Sequence, residues 1–190
     1  MPPALLAHDL DARFLNWITT APVMEEAEKP AICIFVDADA CPVKEEVERV
    51  AIRHGLSVYL VSNGGMRPSA HPRFHHVTVT QGADAADDWI AERIEAFDIA
   101  ITADVPLAAR CLKKNASVIG PSGKRFTEDN IGMSLGMREL HRHLREATGQ
   151  QTLHSGFSKQ DRSRFLGALE NEIQAIRRAQ RNSPPDQSVR

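Results

Sequence analysis

The sequence predicts an α/β fold, a three-layer sandwich around a mostly parallel five-stranded sheet, with two further helices at its C-terminal end. Three observations predict it. Short apolar runs recur at 31–37, 57–61, 76–80, 99–103 and 116–119. The first is almost continuously apolar, as suits a strand covered on both faces. Most runs are separated by stretches with helical periodicity, and strand–helix alternation implies parallel strands joined by right-handed crossovers.

Residues 1–30 read as an N-terminal extension. Leu6, Leu10, Phe14 and Ile18 recur at four-residue spacing, as in a short amphipathic helix, and Met24-Glu-Glu-Ala-Glu-Lys-Pro reads as a linker. Residues 31–180 form the expected α/β domain. Pro42 suits a first helical turn, and the helix it opens runs to about His54 with Val43, Val47, Val50 and Ala51 inward. Gly55 ends it. The stretch 63–73 is a long, breaker-rich loop. A helix over 84–97 carries Ile90, Ile94 and Phe97 on one face, and another spans 106–114.

Two longer helices follow. Met133, Met137, Leu140, Leu144 and Ala147 form one stripe over 127–147. Ser158 and Asp161 have capping-box spacing, and the helix beyond them carries Phe165, Leu169, Ile173 and Ile176. Both stripes predict core packing or packing between copies of the chain. Residues 181–190, with Pro184-Pro185, read as a disordered tail.

Composition narrows the function. Charged residues make up 25% of the 190-residue chain, and the formal net charge is -2, so the whole protein is no polycation. Three cysteines, Cys33, Cys41 and Cys111, form no CxxC pair, which argues against a disulfide framework and for a reducing cytoplasm. No run approaches the ~20 apolar residues needed to span a bilayer, so a membrane is not an expected partner.

The acids carry the functional signal. Val36-Asp37-Ala38-Asp39-Ala40-Cys41-Pro42, Gly82-Ala83-Asp84-Ala85-Ala86-Asp87-Asp88 and Thr102-Ala103-Asp104-Val105-Pro106-Leu107 each open a helix-like run, and each lies where a parallel strand should end. Ligands of such sheets collect at the carboxyl ends of the strands. Carboxylates brought together there repel unless a cation neutralises them, and Mg²⁺ or Mn²⁺ favours carboxylate and water oxygens. Asp37, Asp39, Asp84, Asp87 and Asp104 are the candidate metal ligands, with Asp37, Asp84, Asp87 and Asp104 as the catalytic set. A competing account has the same acids only capping helices or complementing helix dipoles. Ser62, Asn63, Lys44, Arg67 and Lys124 are candidate substrate contacts, and Arg73, Arg110, Lys113, Lys114 and Arg125 are expected near the same edge. Gly120-Pro-Ser-Gly-Lys124 is too short between glycines for a phosphate-binding P-loop. Cys41 near a helix start is a weak candidate thiol, because nearby carboxylates oppose its ionisation.

Six segments occur in one order: the Val36–Pro42 stretch, Val61-Ser62-Asn63, Gly82 to Asp87, Ile101 to Ala108, Gly123-Lys124-Arg125-Phe126-Thr127, and Ser158-x-x-Asp161-Arg162-x-x-Phe165. Together they resemble the bacterial YaiI/YqxD family over residues 32–169. Gly120 and Phe126 stand where that family's pattern suggests Asn and Tyr. The family is similar to PIN and NYN nuclease domains. The resemblance therefore implies a PIN-like domain with an acidic centre of Asp37, Asp84, Asp87 and Asp104, a Mg²⁺ or Mn²⁺ cofactor and RNA as substrate. Two rival readings stay open. Asp37-x-Asp39 followed by Ser62 matches part of an aspartyl-nucleophile phosphatase, and a non-catalytic nucleic-acid or protein binder needs no metal.

Overall fold

The computed structural model describes residues 32–39, 41–64, 69–79, 82, 84–148 and 157–182. The extension, the tail from 183 onward and Arg67 lie outside the described residues. Six strands and five helices are described: β1 (Cys33–Asp37), α1 (Lys44–His54), β2 (Ser57–Ser62), β3 (Phe74–Thr78), α2 (Ala85–Arg93), β4 (Ile99–Ile101), α3 (Val105–Leu112), β5 (Ser117–Ile119), β6 (Arg125–Phe126), α4 (Glu128–Thr148) and α5 (Lys159–Asn182). They form one sheet in the order β3-β2-β1-β4-β5-β6. β1 to β5 pair in parallel, and β6 runs antiparallel to β5.

The sheet thus has six strands, not the five expected from the sequence. Gly120-Pro121-Ser122-Gly123-Lys124 is the reason. Its Gly120 amide donates to the Lys124 carbonyl at 2.8 Å, and its Gly123 amide to the Gly120 carbonyl at 2.9 Å. Gly123 has φ +83°, where an L side chain is strained. The segment is a tight hairpin turn that folds Arg125-Phe126 back along β5.

Strand alternation sorts β1 between the two layers. Ile34 and Val36 join Val47, Val50, Phe165, Leu169 and Ile173 in one core beneath α1 and α5. Cys33 and Phe35 join Ile90, Ile94, Leu107, Ala108 and Cys111 in the other, beneath α2 and α3. Burying such aliphatic and aromatic side chains contributes roughly 1.5–3 kcal/mol each.

The first long stripe departs from a core role. Phe165, Leu169, Ile173 and Ile176 of α5 are buried, whereas Met133, Met137, Leu140 and Leu144 of α4 are exposed. Phe97, expected to point inward, is also exposed, because it occupies the left-handed turn (φ 70°) that leads into β4.

Polar staples fix α5 to the sheet. The Ser158 amide and hydroxyl both donate to Asp161, whose own amide returns a bond to Ser158 Oγ at 3.1 Å, completing the capping box. Arg162 pairs with buried Glu46 of α1 at 2.7 Å. Buried Glu172 accepts from Ser117 Oγ at 2.7 Å and pairs with Arg125 at 2.7 Å. No helix among the described residues is long and apolar enough to cross a membrane.

The hairpin turn also leans on α5. A methyl group at Gly123 would sit 2.7 Å from the carbonyl carbon of Arg164, which is backbone and cannot swing aside. Gly123→Ala therefore combines a positive-φ penalty with a backbone clash, and should destabilise the fold by about 2 kcal/mol or more. Urea unfolding of the variant checks this; a midpoint equal to that of the parent would refute the close packing.

Candidate functional site

The site follows from strand order. β1 and β2 advance toward one edge, and α2 carries the chain back across β1 to β4 on the other side. The order reverses between β1 and β4, and such a switch point opens a crevice at the carboxyl ends of the two strands. Asp37 is the last residue of β1, and Thr102 follows β4 directly. Alternation turns Asp37 to the same side as Cys33 and Phe35, toward α2 and α3. Both helices begin at this edge, with Asp84 and Asp104 at their N-cap positions.

Thr102 joins the two strand ends. Its hydroxyl donates to Asp37 Oδ2 at 3.0 Å and accepts from the Asp104 amide at 2.9 Å. Asp104 Oδ1 accepts from the Leu107 amide at 2.8 Å, a true N-cap, and Oδ2 lies 3.2 Å from Arg138 of α4. Asp84 behaves differently: it occupies the N-cap position of α2, yet its side chain makes no capping bond. Asp88 pairs with Arg110 across α2 and α3 at 2.8 Å. Asp39 lies beyond Asp37 and accepts from the Asn63 amide at 2.9 Å, linking the ends of β1 and β2.

Electrostatics record the convergence. Burial pushes the Asp87 carboxyl up to about 6, and the charges of Asp104, Asp37 and Asp84 add to the shift while Arg110 opposes it. Burial also raises Asp37, the Thr102 hydrogen bond lowers it, and Asp39 and Asp104 raise it further. Asp84, Asp87, Asp88 and Asp104 line a cavity of about 350 Å³, walled on its basic side by Arg110 and Arg138. Among the described residues, no three His, Cys, Asp or Glu side chains are placed to enclose a metal ion. The donor set is still the hard-oxygen kind that Mg²⁺ takes. That ion usually holds one or two carboxylates and keeps several waters, rather than filling an all-protein cage.

The other candidates are dispersed. Ser62 is buried, and its hydroxyl donates to the Gly64 carbonyl at 2.7 Å. Lys44 opens α1 beside Cys41, whose thiol burial pushes up to about 11, out of the nucleophilic range. Lys124 sits on the hairpin, 3.5 Å from Ser134 Oγ. Two bases expected at this edge lie at the opposite one. Arg73 precedes β3 and donates to the Gly55 carbonyl, and Lys114 donates to the Glu92 carbonyl at the far end of α2. Helix ends, not sequence proximity, set their places. Thr102 and Arg138 contact the acids directly without being candidates from the sequence. Thr102 opens the Thr-Ala-Asp segment at the end of β4, which is its one sequence signal; Arg138 has none.

The pattern of the uncharacterised YaiI/YqxD family matches residues 35–175, and the chain belongs to that family. It is 58% identical over 145 residues to the UPF0178 protein of Parvibaculum lavamentivorans, covering 76% of this chain and 95% of the relative. The UPF0178 protein of Mesorhizobium japonicum is 52% identical over 156 residues, covering 82% and 99%. That of Rhodospirillum rubrum is 56% identical, covering 76% and 97%. No solved structure matches the chain.

The raised Asp87 carboxyl, pushed up by burial and by its acidic neighbours, has a measurable consequence. Asp87 rises from an ordinary 3.8 to about 6 in the folded, metal-free protein, so the folded state binds more protons than the unfolded state between those values. Stability then falls as pH rises from about 4 to about 6 and levels off above that. Asp87→Asn should be more stable than the parent above pH ~6, with the difference vanishing below about pH 4. Thermal melts across that range in EDTA check it; a difference independent of pH would refute the raised value.

Proposed function

We propose that the protein is a divalent-metal-dependent nuclease of PIN-like architecture that hydrolyses phosphodiester bonds in RNA in the cytoplasm. The observation that carries this reading is the gathering of Asp37, Asp84, Asp87 and Asp104 at the switch point, close enough for three of them to help push the fourth up to about 6. A fold gains nothing from such repulsion, and groups perturbed this way in a crevice mark functional sites more often than chance. The competing capping account explains Asp104, which caps α3, but not Asp84, whose side chain makes no capping bond.

Asp37 and Asp104 would hold Mg²⁺ or Mn²⁺, with Asp84 and Asp39 at the margin and water completing the shell. A bound ion supplies charge neutralisation at the phosphate and Lewis acidity toward the attacking and departing oxygens. The chain's own residues do the rest. Thr102 holds the Asp37 carboxylate in one orientation, and the Leu107 amide does the same for Asp104. Asp87, in the same crevice, would be the base that takes a proton from the attacking water. Arg138 and Arg110 border the acids and complement a phosphate's charge.

An aspartyl-nucleophile phosphatase is the weaker reading. The Ser62 hydroxyl, its second expected participant, is buried and turned to the Gly64 carbonyl.

Asp37→Asn and Asp104→Asn should each reduce Mn²⁺-dependent cleavage of a mixed RNA pool by at least about a hundredfold. Neither should unfold the protein, because the first relieves repulsion and asparagine is itself a good N-cap. Retained cleavage in contaminant-free variants would sink the nuclease assignment. Calorimetric titration of Mn²⁺ should give binding to the parent that Asp37→Asn loses; equal binding by both would remove Asp37 from the ligand set.

A further inference from the structure

A second cavity, of about 570 Å³, opens beside the acidic one at the same edge of the sheet, between the β5–β6 hairpin and α4. Its chemistry is the reverse of its neighbour's. Lys124, Arg138 and His141 project from its walls, Phe126, Met133 and Met137 form its apolar surface, and no carboxylate among the described residues lines it. Its size falls within the range of about 300–1,000 Å³ typical of small-ligand sites. In a chain of net charge -2, three bases around an apolar recess beside four acids are a sharp segregation.

The cations are available to a ligand. The Lys124 ammonium lies 3.5 Å from Ser134 Oγ and 5.7 Å from the Phe126 ring centroid, so its described partners are a hydroxyl and an aromatic face. Arg138 lines both cavities, with its guanidinium held 3.2 Å from Asp104. Whatever anion enters the larger cavity therefore lies one side chain away from the acidic centre. The apolar surface asks for a flat, weakly polar body next to that anion, and methionine thioethers pack well against aromatic rings.

We infer that this cavity seats one unpaired nucleotide of a single-stranded RNA, the residue adjoining the phosphate to be cut. Its phosphate lies among Lys124, Arg138 and His141, and its base against Met133 and Met137. This rests on the nuclease reading and adds what that reading lacks, a preference for unpaired over duplex RNA. A base can enter a recess only when it is splayed out of a stack, and unpaired segments permit that.

Binding in EDTA separates this inference from cleavage. Adenosine 5′-monophosphate, a labelled pentaadenylate and a labelled RNA duplex would be titrated into the full chain by calorimetry and fluorescence anisotropy. The expected order of affinity is pentaadenylate above the monophosphate, with the duplex weakest. Lys124→Ala and His141→Ala should each weaken pentaadenylate binding about tenfold. Lys124→Ala should also reduce the slope of log affinity against log salt by about 0.7, the loss of one phosphate contact. No binding by any probe, binding untouched by both cavity variants, or a preference for duplex would overturn the inference. Monophosphate binding without pentaadenylate binding would also overturn it, since the site would then take free nucleotides. Metal-dependent cleavage without cavity binding sinks only this inference, whereas cavity binding without cleavage sinks the nuclease reading and leaves the cavity as a single-strand binding site with no scissile phosphate.

Discussion

The reversal of strand order between β1 and β4 is the constraint on which the rest depends. β1 lies at the centre of the sheet, with β2 and β3 on one side and β4 to β6 on the other. The chain reaches the second side only by carrying α2 over β1. That crossing delivers Asp84 and Asp87 to the end of β1, and the next strand delivers Thr102 and Asp104 beside them. Residues separated by more than sixty positions thus share one hydrogen-bonded unit, from Asp37 through Thr102 to Asp104.

The acids are managed rather than relieved. Asp104 is satisfied on both oxygens, by a backbone amide and a guanidinium. Asp39 has the Asn63 amide, and Asp88 has Arg110. Asp37 has the Thr102 hydroxyl, and burial still raises it. Asp87 is raised to about 6, by burial first and then by the charges of Asp104, Asp37 and Asp84. Buried carboxylates elsewhere show the contrast: Asp98, at the opposite edge, accepts from the Cys33 amide at 2.9 Å and the Glu95 amide at 3.0 Å, and simply ties the chain together.

Much of this was legible in the sequence. Apolar runs and helical periodicity located the parallel strands and the inward faces of α1 and α5, with Ile90 and Ile94 of the α2 stretch, because burial leaves a continuous or periodic hydrophobic signature. The acids were legible too: Asp37 and Asp104 stand at the ends of such runs, and Asp84 and Asp87 open the next helical stretch. What escaped depends on contacts that periodicity does not encode. β6 has only two residues, too few for a periodic signal, and the Pro-Ser-Gly turn that creates it carries no strand pattern beyond it. The stripe on α4 has core spacing yet faces outward, since spacing defines a face without naming what covers it. Arg138 sits mid-helix, and only the docking of α4 against α3 brings it to Asp104.

That docking gives Arg138 a further property. One guanidinium borders two cavities of opposite character and can neutralise only one group fully at a time. A cation settling on Asp104 would release Arg138 toward the neighbouring recess, and an anion drawing Arg138 into that recess would uncover Asp104. The two occupancies would then be thermodynamically linked, each favouring the other by the same factor. A single side chain would be the hinge of a reciprocal balance.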